Sequence, residues 1–206
     1  IWIWNQATGG YVQKTSELDG TFQIAPGQAF FISSADAVDI FFFQYLGTNQ
    51  SDTFLKTDRT QVNLQITSNN NTSSTELFYL AQGTNDFDNG YDASKFSGVA
   101  SDFSLYTSQI SNGSKNLGRQ VLSNENVESL VVPLGIKAVA GKEITFTAEA
   151  MNLPEGIKVF LEDRENNTIT RLDEANATYK VTLLEATDGN GRFFLHTKAS
   201  GVLSTD

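Results

Sequence analysis

The chain has 206 residues, which allows one large β domain or two small ones, and it contains no cysteine and a single histidine, His196. These counts exclude disulfides, thiolate nucleophiles, Cys-ligated zinc, iron–sulfur clusters and multi-histidine metal sites. With 14 basic and 24 acidic side chains, the formal net charge is −10 at pH 7. Because this charge repels phosphate backbones and anionic lipid, we expect neither nucleic-acid binding nor membrane insertion.

Apolar and polar residues alternate along most of the chain, and this period of two predicts half-buried β-strands. The residues Ile1–Trp4 already have strand character, and residues 61–66 place aliphatic side chains on one face and amides on the other. The same alternation returns at residues 143–148 and 179–183. Runs that are apolar on both faces, which predict strands covered on both sides, are Phe30–Ile32, Ile40–Phe43 and Val159–Leu161.

Turns rich in glycine and asparagine separate these runs, among them Asp188–Gly191, which we interpret as a hairpin turn. Helix is predicted only as one turn near Asp92–Phe96. Short strands without helices between them favour an all-β fold, an antiparallel β-sandwich. The polar stretch 107–116 predicts a domain boundary. It divides the chain into a jelly-roll-like unit, residues 1–115, and an immunoglobulin-like sandwich, residues 116–206.

An aspartate-rich loop at residues 85–92 gathers oxygen ligands around a glycine turn. Asp86, Asp88, Asn89 and Asp92 would supply several of the roughly six to eight oxygens that Ca²⁺ prefers, although their spacing does not match an EF-hand. The same side chains are typical caps of turns, where they accept hydrogen bonds from backbone N–H groups. A structural calcium site and capping without a metal therefore both stay open, and no other cofactor is expected.

Trp2, Trp4 and Tyr11 form the aromatic cluster most suggestive of carbohydrate binding, because flat rings match the apolar faces of sugar rings. Trp2 and Trp4 share one face of a strand, and the alternative is that they fill the core with their indole N–H groups bonded to backbone. Solvent exposure discriminates between these interpretations. His196, without a second histidine or a cysteine, is interpreted as a structural residue, with a general base as the remote alternative.

Several short segments, in order along nearly the whole chain, carry a resemblance to a known family. They are Trp2–Gln6, Thr8–Tyr11, Ile24–Ile32, Phe87–Asp88, Tyr91–Lys95, Leu105–Thr107, Val132–Gly135, Val159–Asp163 and Gly191–His196. Together they resemble the region that precedes the C-terminal sorting domain in proteins exported by the type IX secretion system of the Bacteroidota.

The resemblance implies a secreted or surface-displayed β-sandwich region of a much larger protein, located outside the cell or on its outer surface. Its partners would be the upstream and downstream domains of the same polypeptide and the secretion machinery, which reads a sorting signal missing from this sequence. Both ends are therefore expected to be truncated. We expect a non-catalytic accessory region that serves spacing or adhesion. The alternatives are a carbohydrate-binding module that contacts polysaccharide and, more remotely, a polysaccharide-degrading enzyme.

Overall fold

The computed structural model describes residues 1–5, 10–20, 22, 24, 28–34, 37, 59–125 and 127–199, and in this part of the chain the fold is all-β, as predicted. The predicted strand at Ile40–Phe43 lies outside the described residues. Among the described residues, no helix is long and apolar enough to span a bilayer.

A small antiparallel sheet is formed near the beginning of the chain. Its strands are β1 (Trp2–Asn5), β2 (Gly10–Gln13) and β3 (Phe30–Phe31), with β1 in the centre. The short helix α1 (Ser16–Asp19) follows β2.

The remaining described strands form one large sheet that is nearly closed into a barrel. They are β4 (Thr60–Ser68), β5 (Asn71–Leu80), β6 (Ala93–Ser94), β7 (Ser104–Ser108), β8 (Asn116–Ser123), β9 (Leu130–Ala138), β10 (Glu143–Met151), β11 (Ile157–Asp163), β12 (Thr168–Arg171), β13 (Tyr179–Thr182) and β14 (Thr187–Ala199). Along the sheet their order is β12-β11-β14-β9-β7-β8-β5-β4-β10-β13, and β6 pairs with β8 beside this path.

The strand pairs of the large sheet are antiparallel except for β5 and β8, which run parallel. The expectation of a purely antiparallel arrangement is therefore wrong at this pair, and the sheet is mixed. The reason lies in the connection between the two strands: the chain leaves β5, forms β6 and β7, and only then returns as β8 beside β5. Parallel neighbours require a long crossover of this kind.

The hydrophobic core lies inside the large sheet and follows the predicted alternation. In β4 the side chains of Val62, Leu64 and Ile66 are fully buried, whereas those of Asn63 and Gln65 are not. The same pattern is observed in β10 and β13, which confirms that the aliphatic half of each of these strands forms core.

The predicted boundary between residues 115 and 116 lies in the turn between β7 and β8. Strands from both sides of this point pair with one another: β8 with β5, β9 with β7, and β10 with β4. Buried side chains from both sides also share the core of the large sheet. The division into two units stays a prediction, and these pairings count against it.

Two predictions of local backbone conformation are wrong. The segment Asp92–Phe96 is not a helical turn, because Ala93–Ser94 pairs with β8 as the short strand β6. The segment Asp188–Gly191 is not a hairpin turn but part of the long strand β14, whose register against β9 shifts between Gly189 and Phe193. Such a shift is a β-bulge, and Gly191 adopts the positive φ of 109° that favours glycine there.

Candidate functional site

The small N-terminal sheet carries an aromatic face. Trp2 pairs with Phe31 and Trp4 pairs with Tyr11, so that these four side chains lie on one side of the sheet. Phe96, from the segment that follows β6, packs on the same side. We call Trp2, Trp4, Tyr11, Phe31 and Phe96 the aromatic ridge.

Tyr11 occupies the centre of the aromatic ridge. Its ring centroid lies 5.1 Å from that of Trp4, 5.5 Å from that of Phe31 and 4.3 Å from that of Phe96. The ring planes are inclined by 69°, 73° and 40°, in the edge-to-face and tilted arrangements that aromatic pairs favour. The ridge is therefore ordered by its own ring contacts.

The two tryptophans share one face of β1, as the sequence predicted, but they differ in exposure. Trp2 is only 8% exposed because Phe96 covers it, with ring centroids 5.6 Å apart. Trp4 is 42% exposed and Phe31 is 38% exposed. Trp2 is thus buried, as the core interpretation expects, but its indole N–H has no hydrogen-bond partner among the described residues, contrary to that interpretation. For Trp4, which lies at the surface, carbohydrate binding stays a prediction.

The carboxylates of the aspartate-rich loop each have separate partners. Asp86 accepts hydrogen bonds from the Ser111 hydroxyl at 2.6 Å and from the Gln109 amide at 3.2 Å. Asp88 accepts hydrogen bonds from the backbone N–H of Thr84 at 2.7 Å and from its hydroxyl at 2.8 Å. The Asp88 contacts are those of a turn cap, whereas Asp86 binds side chains of the segment that follows β7.

Asp92 is the buried member of this loop, and Asn89 is exposed. The Asp92 carboxylate accepts hydrogen bonds from the backbone N–H of Val121 at 2.6 Å and of Asp88 at 3.0 Å. Burial raises the pKa of Asp92 to about 6, against the lowering effect of these two hydrogen bonds. Within the described residues, no three acidic or histidine side chains are grouped so that they could hold a metal ion. The calcium site stays a prediction.

His196 lies on the outer face of the large sheet, where its Nε2 is 2.8 Å from Glu162 Oε2. Glu162 also accepts a hydrogen bond from Arg164, whose guanidinium stacks 3.5 Å above the ring of Phe194. Burial raises the pKa of Glu162, but His196 and Arg164 outweigh this effect and hold it below its ordinary value. These contacts are compatible with a structural role for His196.

A polar groove of about 350 Å³ crosses the outer face of β5, β4 and β10, and the sequence analysis missed it. The signal was present in the polar half of the alternating strands, but a water-facing strand surface carries no sign of concavity. The groove is lined by Asn63, Gln65, Ser74, Glu76, Thr147 and Glu149, which we call the polar groove. A second groove, of about 330 Å³, lies where the turns after β4 and β9 meet residues 101–103.

The chain is thus an all-β protein with one large mixed sheet, an aromatic ridge and a polar groove. It belongs to the family described as "Domain of unknown function (DUF8693)", whose pattern matches residues 2–196 and so covers both sheets. Neither a curated protein nor a solved structure matches the chain.

Proposed function

We propose that the chain is a non-catalytic accessory region of an exported surface protein and that it serves adhesion through the aromatic ridge. The observation that supports adhesion is the exposure of Trp4 and Phe31 on either side of Tyr11. Exposed aromatic side chains on an ordered scaffold are typical of binding surfaces, because they contribute large apolar areas at a low cost in conformational entropy. The proposal assigns no catalytic step to any residue.

The resemblance to the region before type IX sorting domains supports the other parts of this proposal. They are an extracellular or outer-surface location, neighbouring domains of the same polypeptide as partners, and export by the type IX machinery. Structural calcium in the aspartate-rich loop is also proposed, and it rests only on the oxygen-bearing side chains of residues 85–92. The finer description of the fold, a jelly-roll-like unit followed by an immunoglobulin-like sandwich, is also part of the proposal.

A carbohydrate-binding module is the second candidate, and the exposed ring of Trp4 favours it. Because the planes of Trp4 and Tyr11 are inclined by 69°, the two rings do not form one flat platform. A sugar ring would therefore stack on Trp4 alone, with Trp2 too buried to take part.

The test compares Trp4→Ala with the control variant Leu184→Ala, which removes an apolar side chain that is 92% exposed elsewhere on the surface. Retention is measured on immobilised neutral polysaccharides and on protein-coated beads. Loss of the stacking contact should weaken binding about tenfold, equivalent to about 1.4 kcal/mol, whereas the control should bind like the wild type. Retention on polysaccharide that Trp4→Ala weakens supports the module, and retention on protein that Trp4→Ala weakens supports protein-directed adhesion. Equal retention of wild type and Trp4→Ala contradicts both.

A further inference from the structure

Three neighbouring strands arrange the polar groove as two rows of side chains. In the first row, Asn63 of β4 pairs with Glu76 of β5 on one side and with Glu149 of β10 on the other. Partners in antiparallel register point to the same face of a sheet, here the face opposite the buried Leu64. Adjacent strands lie about 4.8 Å apart, so that the row is about 10 Å wide.

The second row lies two residues further along the central strand. There, Gln65 of β4 pairs with Ser74 of β5 and with Thr147 of β10. Two carboxylates and an amide thus lie beside two hydroxyls and a second amide. The volume of about 350 Å³ falls at the lower end of the range of ligand sites, about 300–1,000 Å³.

Most hydrogen-bonding groups of the polar groove are not used within the protein. In the part of the chain that the structure describes, the side chains of Gln65, Ser74, Thr147 and Glu149 make no hydrogen bond. Asn63 accepts a hydrogen bond from Gln61 at 2.5 Å through Oδ1, which leaves its N–H groups as donors.

Glu76 is fixed in place by the neighbouring Arg119. The guanidinium contacts Glu76 Oε2 through Nε at 2.8 Å and through Nη2 at 2.7 Å, which leaves Oε1 as an acceptor. This pairing neutralises the charge of Glu76, and Glu149 makes no ion pair among the described residues. The groove therefore combines neutral donors and acceptors with one uncompensated negative charge.

This combination selects one class of ligand. Among the described residues, no lysine or arginine lines the groove, so that phosphate, sulfate and uronate groups would meet no cation there and would be repelled by Glu149. Glu76 and Glu149 lie two strands apart, and this separation fits a cation shared between them poorly. They also belong to no metal-binding group among the described residues. A sugar hydroxyl both donates and accepts hydrogen bonds. It can therefore pair with the amides and hydroxyls of the groove and donate to the carboxylates.

We propose that the polar groove binds an uncharged polysaccharide, held by hydrogen bonds from the amides and hydroxyls and to the carboxylates. The described residues that line the groove include no aromatic ring, and Trp4 is not among them. The groove is therefore separate from the aromatic ridge, and it stands or falls independently of the adhesion proposed for that ridge.

The experiment is affinity electrophoresis of the full chain in gels that contain galactomannan or xyloglucan. The groove variants are Glu149→Gln and the double variant Gln65→Ala with Thr147→Val. The matched control is Glu143→Gln, which changes an exposed glutamate of the same strand outside the groove. The wild type and the control should be retarded, Glu149→Gln should lose several-fold in affinity, and the double variant should lose about tenfold.

Trp4→Ala in the same gels separates binding by the polar groove from binding by the aromatic ridge. This variant leaves the groove intact and should keep the retardation that the groove causes. Polygalacturonate and oligolysine serve as charged probes. Equal retardation of wild type and both groove variants overturns the groove proposal, whatever Trp4→Ala does. Binding of oligolysine that is lost in Glu149→Gln, without binding of neutral polysaccharide, also overturns it, because the ligand class would then be cationic. Thermal unfolding of each variant confirms that it is folded.

Discussion

Asp92 is a carboxylate that the fold buries with two backbone N–H groups but no ion pair among the described residues. It connects the aspartate-rich loop to Val121 of β8, so that its cap fixes the loop against the large sheet. Burial disfavours the charged form more than the two hydrogen bonds favour it, and the pKa therefore rises. The residue stabilises a local conformation at an electrostatic cost.

This cost should appear in the pH dependence of stability. The pKa of Asp92 is about 6 in the folded chain and about 4 when unfolded, so that the folded state binds more protons between these values. The contribution of Asp92 is thus most favourable below pH 4, and up to about 3 kcal/mol is lost as the pH rises through 6. Asp92→Asn removes the titration, and its free energy of unfolding relative to wild type should improve between pH 4 and pH 7.

The measurement is urea denaturation of wild type and Asp92→Asn at a series of pH values. Asp86→Asn, which replaces another aspartate of the same loop at an exposed position, is the control for the substitution itself. An Asp92→Asn difference from wild type that is constant with pH would contradict the assigned titration.

At the scale of elements, the segment from β2 to α1 is attached to the large sheet by one buried arginine. Arg119 of β8 donates hydrogen bonds to Gln13 O at 3.1 Å, to Thr15 Oγ1 at 3.1 Å and to Asp19 Oδ2 at 2.5 Å. It also pairs with Glu76 of β5. A small apolar cluster, in which Leu18 of α1 contacts Phe78 and Val121, adds to the attachment.

Replacement of Arg119 by methionine should loosen this segment. The substitution leaves Glu76 without its cation and Asp19 with Lys14 alone, and loss of one partner of a buried pair costs about 3–5 kcal/mol. Because both carboxylates are partly exposed, we expect about 2–3 kcal/mol. Hydrogen exchange at residues 13–19 should accelerate more than exchange in β4. Arg171→Met, which removes a more exposed arginine paired with Asp173 and Glu174, should destabilise the chain less than Arg119→Met. Equal effects of the two substitutions would contradict the role assigned to Arg119.

The sequence predicted those elements whose pattern depends on one strand alone. Alternation placed the core face of β4 correctly, because burial on one side requires a period of two. Val159–Leu161 was predicted to be covered on both sides, but Phe160 is only half-buried on the outer face of β11. The glycines of Asp188–Gly191 fit a turn and a bulge equally well, and only the partner strand decides between them.

The candidate surfaces depend even more on the pairing of distant strands. The period of two along a strand places Trp2 and Trp4 on the same face. Phe96 packs on Trp2, and this distant contact is why Trp4 is the more exposed of the two. The polar groove requires the register of three strands, β5, β4 and β10, the last of which lies some eighty residues from β4. No local pattern contains this information.

At the scale of the whole molecule, polar side chains join the two ends of the large sheet. Tyr179 of β13 donates a hydrogen bond to Asp163 of β11 at 2.7 Å, and Thr168 of β12 contacts the same hydroxyl at 3.3 Å. Asp163 is fully buried and also accepts two hydrogen bonds from Arg192 of β14, at 2.9 Å and 2.8 Å. Inside the sheet, Phe146 and Phe193 bring β10 and β14 together, with centroids 4.9 Å apart.

Tyr179→Phe tests whether these contacts stabilise closure of the sheet. Burial raises the pKa of Asp163, but the hydrogen bonds from Arg192 and Tyr179 outweigh it, and the pKa lies below its ordinary value. The stabilisation is therefore complete above about pH 4 and is lost as the pH falls through the lowered pKa. A hydrogen bond to a charged group contributes about 1.5–3 kcal/mol, so Tyr179→Phe should cost about 2 kcal/mol at pH 7 and progressively less in acid.

The control for closure is Tyr91→Phe, since the Tyr91 hydroxyl makes no hydrogen bond in the described part of the chain and lies outside the closing contacts. Denaturation at pH 7 and near pH 2.5 should show a larger difference between Tyr179→Phe and wild type at the higher pH, with Tyr91→Phe close to wild type at both. A loss that is independent of pH would mean that the Tyr179 ring, packed near Phe146, stabilises closure by apolar contact instead. The joined ends would then be held by packing, and Asp163 would serve only Arg192 and the turn after β11.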